Sequence, residues 1–321
     1  MTLAPAEPDP DANKVPVIYV AGAPFSGSTL LGLALGNSDG ICDLGEVGFL
    51  ERMWHDQRMC GCGTALGDCP FWAGIRTALD QADKPLLTLQ TSQPAHPIDA
   101  KNTRFSLKLM RAMGLRDQTT LGRAALQDYA TRNRHFFAAV REATGAVLLV
   151  DTTKTAARAI ALARDPGIDL HILLLHRDPE AVFAAGLSRM RARNRVLAPL
   201  LPLLQMIKLR RQYRDAVKCA HLVGPDRLCT LHYEDLTRDP ASAETRLSHW
   251  LGRPITFGLS KDRHIPRDRY HGFTGSRSIN RDAGAKTVAL RPADPPRPMG
   301  WGATALFRAL RWTLPHPPTQ P

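Results

Sequence analysis

The chain lacks any long apolar run. It contains no stretch of about eighteen consecutive apolar residues, the length that a helix needs to cross a bilayer. Its first residues are rich in proline, carry acidic side chains and lack the apolar segment of a secretory signal peptide. These absences argue against a membrane span and against export, and we therefore expect a cytoplasmic protein.

Acidic residues are too few to balance the basic ones. The 321 residues include 42 Lys and Arg against 30 Asp and Glu, which gives a formal net charge of +12. A basic surface favours anionic partners such as nucleotides, nucleic acids or acidic glycans. No zinc-finger or single-strand stacking motif accompanies the charge, so we do not expect a nucleic acid partner. The hydrophobic content of 44% suffices for one large globular domain.

A phosphate-binding loop without its lysine follows the first apolar run. Residues 17–21 predict a strand that leads into the sequence GAPFSGST at residues 22–29. The spacing is that of G-x-x-x-x-G-K-[ST], but Ser28 stands in place of the lysine. Such a loop aims backbone N–H groups and a helix N-terminus at one anion. Because the missing lysine normally reaches the β- and γ-phosphates, the loop suits a phosphosulfate. Alternatively, the glycines only let a helix pack on a strand.

Six cysteines are present, and three of them lie close together at Cys60, Cys62 and Cys69. Three thiolates can contribute to a zinc site, but C-x-C followed by a gap of six residues is not a usual zinc spacing. A local disulfide and reduced cysteines packed in the core are the alternatives, and a cytoplasmic location disfavours a permanent disulfide. We therefore predict no metal site and leave the redox state open.

Four short apolar runs predict an α/β fold. They lie at residues 17–21, 146–150, 170–175 and 227–231, and most are separated by sequence with helical periodicity. This alternation is typical of a parallel sheet that helices cover on both faces.

Polar side chains follow each of these runs, namely Ser26, Lys154, Arg177 and Tyr233. Ligands of open α/β sheets bind beyond the carboxyl ends of the strands, so we expect all four to line one crevice. Each alone has a plainer interpretation, such as a solvated lysine or an arginine paired with Asp178.

Five segments together resemble the sulfotransferases that use 3′-phosphoadenosine 5′-phosphosulfate (PAPS). They are PFSGSTLL at 24–31, CGCG at 60–63 with CPFW at 69–72, VDTTK at 150–154, HRDP at 176–179 and YEDL at 233–236. The resemblance is to bacterial-type members, with a partial likeness to tyrosylprotein sulfotransferases. It implies a P-loop-NTPase-like parallel sheet with helical insertions that form an acceptor lid. The implied reaction transfers a sulfuryl group to a hydroxyl, or less favourably an amine, of a small molecule, glycan or peptide.

The resemblance also implies which residues bind the donor. The loop for the 5′-phosphosulfate comprises Pro24, Phe25, Ser26, Gly27, Ser28, Thr29 and Leu30. Arg177 matches the arginine that grips the 3′-phosphate, where a guanidinium can bind in a bidentate manner. The remaining donor-binding candidates are Ser188, Arg189, Tyr233, Ser276 and Arg277. Among these, Ser188 and Arg189 would compensate for Ala185, which replaces the family's usual serine.

The catalytic assignment rests on a departure from the family pattern. Most members carry a lysine or arginine at the position of Phe25, where it stabilises charge on the transferring sulfuryl group. Phenylalanine cannot do so, and we assign this role to Lys154, where tyrosylprotein sulfotransferases carry a catalytic lysine. Glu46 matches the glutamate that acts as base in those enzymes, with His55 as a weaker alternative. The resemblance requires no metal.

We expect three regions: a tail at residues 1–14, the sulfotransferase domain at 15–285, and a proline-rich extension at 286–321 with a short amphipathic helix. Residues 76–135 would form the acceptor lid. The basic stretch 188–218 would attract an acidic glycan, or is a solvated helix face. A homodimer is left open. The alternative functions are a non-catalytic protein that binds the desulfated nucleotide PAP, and a P-loop small-molecule kinase.

Overall fold

The computed structural model describes residues 14–81, 120–192, 198–276, 279, 284–293 and 295–318. Most of the predicted tail, residues 82–119 of the predicted lid, and Arg277 lie outside these ranges.

A five-stranded parallel sheet forms the centre of the molecule, with the order β2-β3-β1-β4-β5. The predicted parallel α/β sheet is therefore confirmed. The fold departs from the prediction in β2, a three-residue edge strand whose apolar pattern is too short to recognise. The strands are β1 (Val15–Gly22), β2 (Ile41–Asp43), β3 (Leu148–Asp151), β4 (Ile168–His176) and β5 (Leu228–His232).

Helices cover both faces of the sheet. In chain order they are α1 (Ser28–Leu35), α2 (Leu50–His55), α3 (Pro70–Gln81), α4 (Thr120–Thr144), α5 (Ala156–Leu162), α6 (Pro179–Arg191), α7 (Leu201–Ala220), α8 (Tyr233–Arg238), α9 (Pro240–Leu251) and α10 (Trp301–Leu310). Short 3-10 turns precede α2 and α3 and flank β5 and α10. None of the helices in the described ranges is both long and apolar enough to cross a membrane.

Alternate residues of β1 point into two separate layers of the core, as the period of two along a strand requires. Tyr19 packs in a cluster with Trp72 of α3 and Phe137 of α4. Val20 packs in the other cluster, with Leu31 of α1 and Leu247 of α9. Because β1 is buried on both faces, it holds the loop at its carboxyl end on a rigid base.

The C-terminal segment packs against the rest of the molecule. Strands β6 (His264–Pro266) and β7 (Thr287–Ala289) pair in antiparallel fashion across the predicted boundary at residue 285. Helix α10 buries Phe307 against α6, where its ring lies 5.2 Å from the ring of Phe183. Trp301 stays 88% exposed. Helix α10 lies within the predicted extension, and the division of the chain into regions stays a prediction.

Candidate functional site

The loop between β1 and α1 adopts a conformation that glycine permits. Gly27 has a φ of 94°, in the left-handed region, and precedes the first residue of α1. A Cβ at Gly27 would lie 2.3 Å from the ring of Tyr233, so a larger residue cannot fit without a shift. Phe25 also has a positive φ, 71°, which is strained for a residue with a side chain. Such strain is characteristic of ligand-binding loops.

The N-terminus of α1 is open to an anion. No side chain of the described ranges caps the helix at Gly27, and its first turn contains no acidic residue. The Oγ of Ser26 is buried and has no hydrogen-bond partner within the described residues. Thr29 Oγ1 accepts a hydrogen bond from the Ser276 N–H at 3.0 Å. Backbone and hydroxyl donors at a helix N-terminus are the groups that bind phosphate and sulfate.

Lys154 brings its charge to this loop from the end of β3. Its Nζ donates to Ser28 Oγ at 2.7 Å, to Glu46 Oε1 at 2.5 Å and to the carbonyl oxygen of Thr152 at 2.8 Å. Ser28 stands where an ordinary phosphate-binding loop has its lysine. Lys154, which follows a different strand, brings a positive charge to this position instead. The second carboxylate oxygen of Glu46 accepts a hydrogen bond from Thr274 Oγ1 at 3.0 Å.

Arg177 lies on the opposite side of the loop, after β4. Its Nη1 donates to the carbonyl oxygen of Phe25 at 2.8 Å, and its guanidinium lies 4.4 Å from the ring centroid of Tyr233. Its Nε is buried without a hydrogen-bond partner in the described part of the chain. The guanidinium of Arg189, on α6, lies 5.8 Å from the ring centroid of Phe25. Two arginines therefore face the same loop.

Comparison with models of protein families shows which family this chain belongs to. The model described as the sulfotransferase family matches residues 16–256, a range that includes the loop, Glu46, Lys154, Arg177 and Tyr233. The chain belongs to the sulfotransferase family. None of the curated proteins compared with this sulfotransferase matches it significantly.

Several solved sulfotransferase structures are similar to it. The sulfotransferase domain of the Synechococcus PCC 7002 olefin synthase is 20% identical, with a TM-score of 0.46 and coverage of 94% of this chain and 97% of that one. Sulfotransferase STF9 from Mycobacterium avium is 16% identical, with a TM-score of 0.46 and coverage of 76% and 65%. STF1 from Mycobacterium tuberculosis H37Rv is 14% identical, with a TM-score of 0.46 and coverage of 78% and 69%.

The turn that carries Lys154 in this sulfotransferase is fixed by residues that the sequence analysis missed. Asp151 Oδ1 accepts hydrogen bonds from the N–H and the Oγ1 of Thr153, at 2.9 and 2.5 Å. Asp151 Oδ2 accepts one from Arg158 Nε at 2.6 Å. The hydroxyl of Tyr19 accepts from the Thr155 N–H at 2.7 Å and donates to the Thr155 carbonyl oxygen at 2.8 Å. These bonds hold Lys154 at its positive φ of 65°.

The turn of Lys154 is also tied to the segment of Glu46. Thr153 Oγ1 accepts a hydrogen bond from the Gly48 N–H at 3.0 Å. In the sequence, only the run of polar residues after β3 indicated this turn. Such a run does not show which of its residues hold the others in place by hydrogen bonds.

Other predicted site residues lie in different surroundings. Leu30 is buried, and its N–H donates to the Gly27 carbonyl oxygen at 2.9 Å within the helix. Ser188 is exposed on α6 and directly precedes Arg189. Because neighbouring residues of a helix point about 100° apart, the two side chains face different directions. His55 is exposed. The binding and catalytic roles of the predicted residues stay predictions.

A histidine pair was not singled out from the sequence. His176 and His232 are aligned at the ends of β4 and β5, with ring centroids 5.1 Å apart. Burial, together with the neighbouring His232 and His316, lowers the pKa of His176 to about 4, although Asp178 raises it in part. The imidazole beside Arg177 is therefore neutral near pH 7.

Proposed function

We propose that this sulfotransferase transfers the sulfuryl group of PAPS to a hydroxyl group of its acceptor. The contact of Lys154 Nζ with both Ser28 Oγ and Glu46 Oε1 carries the proposal. It places a cation and a carboxylate side by side at the loop that suits the donor's 5′ phosphosulfate. The acceptor that we propose is a small molecule, glycan or peptide.

The residues present fit such a donor. Among the described residues, Ser26 Oγ has no hydrogen-bond partner and no side chain caps the N-terminus of α1, so both suit the 5′ end because they offer donors to an anion. Arg177 and Arg189 would hold the 3′-phosphate end, since guanidinium groups bind phosphate in a bidentate manner. Tyr233 supports Arg177 by the contact of its ring. We further propose that Ser276 and Arg277 complete the nucleotide side.

PAPS, when bound, supplies the sulfuryl group and a good leaving group. The bond between sulfur and the bridging phosphate oxygen breaks, and a bond between sulfur and the acceptor oxygen forms, so that PAP leaves with the electron pair. Lys154 stabilises negative charge near the loop, which is the role that Phe25 cannot fill. Its ammonium is shared between Ser28 and Glu46. If Nζ turns toward sulfuryl oxygens, Glu46 Oε1 is released to accept the proton of the acceptor hydroxyl.

The experiment is incubation with PAPS that carries radioactive sulfur and a cell extract, followed by identification of the labelled product and by kinetics on that acceptor. We expect Lys154→Ala and Glu46→Gln each to lower kcat about a hundredfold or more. We expect Arg177→Ala mainly to weaken PAP binding in calorimetry. Lys261→Ala is the matched control, because Lys261 is exposed between α9 and β6, outside the basic stretch 188–218, and it should leave both quantities unchanged.

Two outcomes would contradict the proposal. PAP binding without any sulfated product across a broad acceptor panel would favour the non-catalytic nucleotide-binding protein. Consumption of the ATP γ-phosphate with a phosphorylated product would favour the kinase. An unchanged kcat in Lys154→Ala would remove the role assigned to that lysine.

A further inference from the structure

A second cluster of reactive side chains lies beside the candidate active site. Cys60, Cys62 and Cys69 lie between α2 and α3, and His271 joins them from a loop 202 residues after Cys69. The three sulfurs and one imidazole nitrogen all lie within 4.8 Å of one another. Cys60 and Cys69 are completely buried. The catalytic proposal does not use this cluster, and packing of Cys60 and Cys69 in the core does not explain why the His271 nitrogen lies among three sulfurs.

Three distances within the cluster are close to those of tetrahedral zinc coordination. Bonds of about 2.3 Å to sulfur and about 2.0 Å to nitrogen place two sulfurs about 3.8 Å apart, and a sulfur and a nitrogen about 3.5 Å apart. The two sulfurs of Cys62 and Cys69 are 3.6 Å apart. His271 Nδ1 lies 3.3 Å from the Cys69 sulfur and 3.7 Å from that of Cys60. The four groups therefore lie close enough together to share one zinc ion.

The cysteine turn is held in shape by its own backbone. The Cys60 N–H donates to the Thr64 carbonyl oxygen at 2.8 Å, and the Gly63 N–H donates to the Cys60 carbonyl oxygen at 3.0 Å. Gly63 has a φ of 93°, which favours glycine. A Cβ at Gly61 would lie 2.4 Å from the Tyr270 ring, so the turn fits against the histidine loop only with glycine there.

The histidine is oriented toward the sulfurs by its neighbours. Its ring stacks on Phe71, with centroids 4.4 Å apart and planes within 1° of parallel. Its carbonyl oxygen accepts a hydrogen bond from Trp72 Nε1 at 3.0 Å. Partners that fix the ring of a ligating histidine are typical of metal sites. A buried cation, Arg267, donates to the Gly61 carbonyl oxygen at 3.3 Å, where it would offset the negative charge of three thiolates on a zinc ion.

A disulfide explains the cluster less well. A disulfide would place two of the sulfur atoms about 2.05 Å apart. It would not explain why the third thiol and the histidine lie beside them. Three sulfurs and a nitrogen at similar separations are instead the donor set of a closed structural zinc site.

We propose that Cys60, Cys62, Cys69 and His271 bind one structural zinc ion, which anchors the loop at residues 271–276 beside the active site. Binding releases the thiol protons to solvent. All four positions are protein ligands, so the ion has no open position for a substrate. The anchored loop carries Thr274, which contacts Glu46, and Ser276, which contacts Thr29. The proposal departs from the expectation of no metal, because no spacing motif includes a ligand as distant as His271.

The first test is elemental analysis of the full chain, purified under reducing conditions without chelator. We expect one zinc per chain, and we expect the protein with cobalt in place of zinc to show thiolate charge-transfer and tetrahedral d–d absorption bands. Cys69→Ser and His271→Ala should lose the metal, whereas His271→Cys should retain it with four thiolates. Cys219→Ser is the matched control, a buried cysteine of α7 whose sulfur donates to the Asp215 carbonyl oxygen, and it should keep one zinc.

The second test uses the wild-type protein, so that it does not depend on the folding of any variant. A chelator should lower the midpoint of thermal unfolding, and added zinc should restore it. Absence of zinc after purification, together with no uptake from a zinc solution by the reduced protein, would overturn the proposal. A disulfide between Cys62 and Cys69 in peptide mapping that is unchanged by zinc, or iron in place of zinc, would overturn it as well. These readouts do not depend on sulfuryl transfer.

Discussion

At the scale of single residues, the loop between β1 and α1 depends on the contact between Gly27 and Tyr233. The ring of Tyr233 occupies the space of a Cβ at Gly27 and at the same time supports the guanidinium of Arg177. One aromatic side chain thus couples the shape of the loop to the position of the arginine. A larger residue at Gly27 must displace the ring and with it the support of Arg177.

We predict that Gly27→Ala weakens PAP binding at least tenfold. Gly145→Ala is the matched control, because Gly145 also has a positive φ, 67°, but a Cβ there meets no atom within 4 Å. Both variants should lose about 1 kcal/mol of stability from backbone strain, whereas only Gly27→Ala displaces Tyr233. Calorimetric titration with PAP measures the first effect and urea denaturation the second. Equal PAP affinities in the two variants would refute the role of the Tyr233 contact.

Several site residues could be predicted from the sequence for a simple physical reason. Lys154, Arg177 and Tyr233 follow apolar strands, and the carboxyl ends of parallel strands meet at one edge of the sheet. His271 could not be predicted, because its approach to the cysteines depends on how a loop folds back over 202 residues. The same holds for the contact of Thr274 with Glu46, which joins two segments without regular structure.

At the scale of elements, the turn after β3 depends on a buried ion pair. Asp151 is completely buried, and Arg158, at the start of α5, is 3% exposed. Arg158 Nη1 also donates to the hydroxyl of Tyr129 at 2.6 Å and to Asn133 Oδ1 at 2.7 Å, both on α4. The pair therefore joins β3, α5 and α4 directly behind Lys154.

We predict that Arg158→Ala lowers the free energy of unfolding by about 3 to 5 kcal/mol, because it leaves the Asp151 carboxylate buried without its partner. Arg211→Ala is the control: its partner Asp215 lies one turn away on α7, and both side chains are partly exposed. The control should cost no more than about 1 kcal/mol. Urea denaturation followed by circular dichroism measures both. Similar losses in the two variants would show that the buried pair is not needed for the turn.

The strands show what a pattern of apolar residues can and cannot reveal. The run at residues 170–175 predicted the centre of β4, but the strand extends from Ile168 to His176 because Ile168, Asp169 and His176 also pair with neighbouring strands. Strand β2 was missed because three residues are too few for a periodic signal. Asp43, at the end of this strand, nevertheless helps to shape the segment of Glu46, because its Oδ1 accepts a hydrogen bond from the Gly45 N–H at 3.0 Å.

At the scale of the whole molecule, stability should depend on pH through Asp43. The pKa of this carboxyl is raised to about 7, mainly by burial. Asp151 also raises it, whereas the Gly45 N–H and Lys154 lower it in part. The folded protein therefore binds the proton more tightly than the unfolded chain does. Between about pH 4 and 7 the stabilising contribution of this proton declines as the pH rises, by at most about 1.4 kcal/mol per pH unit.

We predict that Asp43→Asn removes this decline. The variant should gain stability relative to the wild type as the pH rises from 5 to 8, because an amide does not ionise. Asp39→Asn is the control, since Asp39 is a fully exposed aspartate before β2, and its difference from the wild type should not change with pH. Thermal unfolding midpoints across this range measure both. His176 has the opposite effect, because its lowered pKa reduces the stability of the folded protein as the pH falls from about 6.5 to 4. This effect is the same in the wild type and both variants, so it cancels in the comparison.

The position of β1 in the middle of the sheet has a consequence during synthesis. Its neighbours β3 and β4 begin at Leu148 and Ile168, more than a hundred residues after β1 ends at Gly22. At a synthesis rate of about 5 to 20 residues per second, the segments that pair with this strand are made roughly 5 to 25 seconds after it. During this interval its apolar residues are exposed on the nascent chain, so the loop between β1 and α1 is made long before the strands that hold it in place.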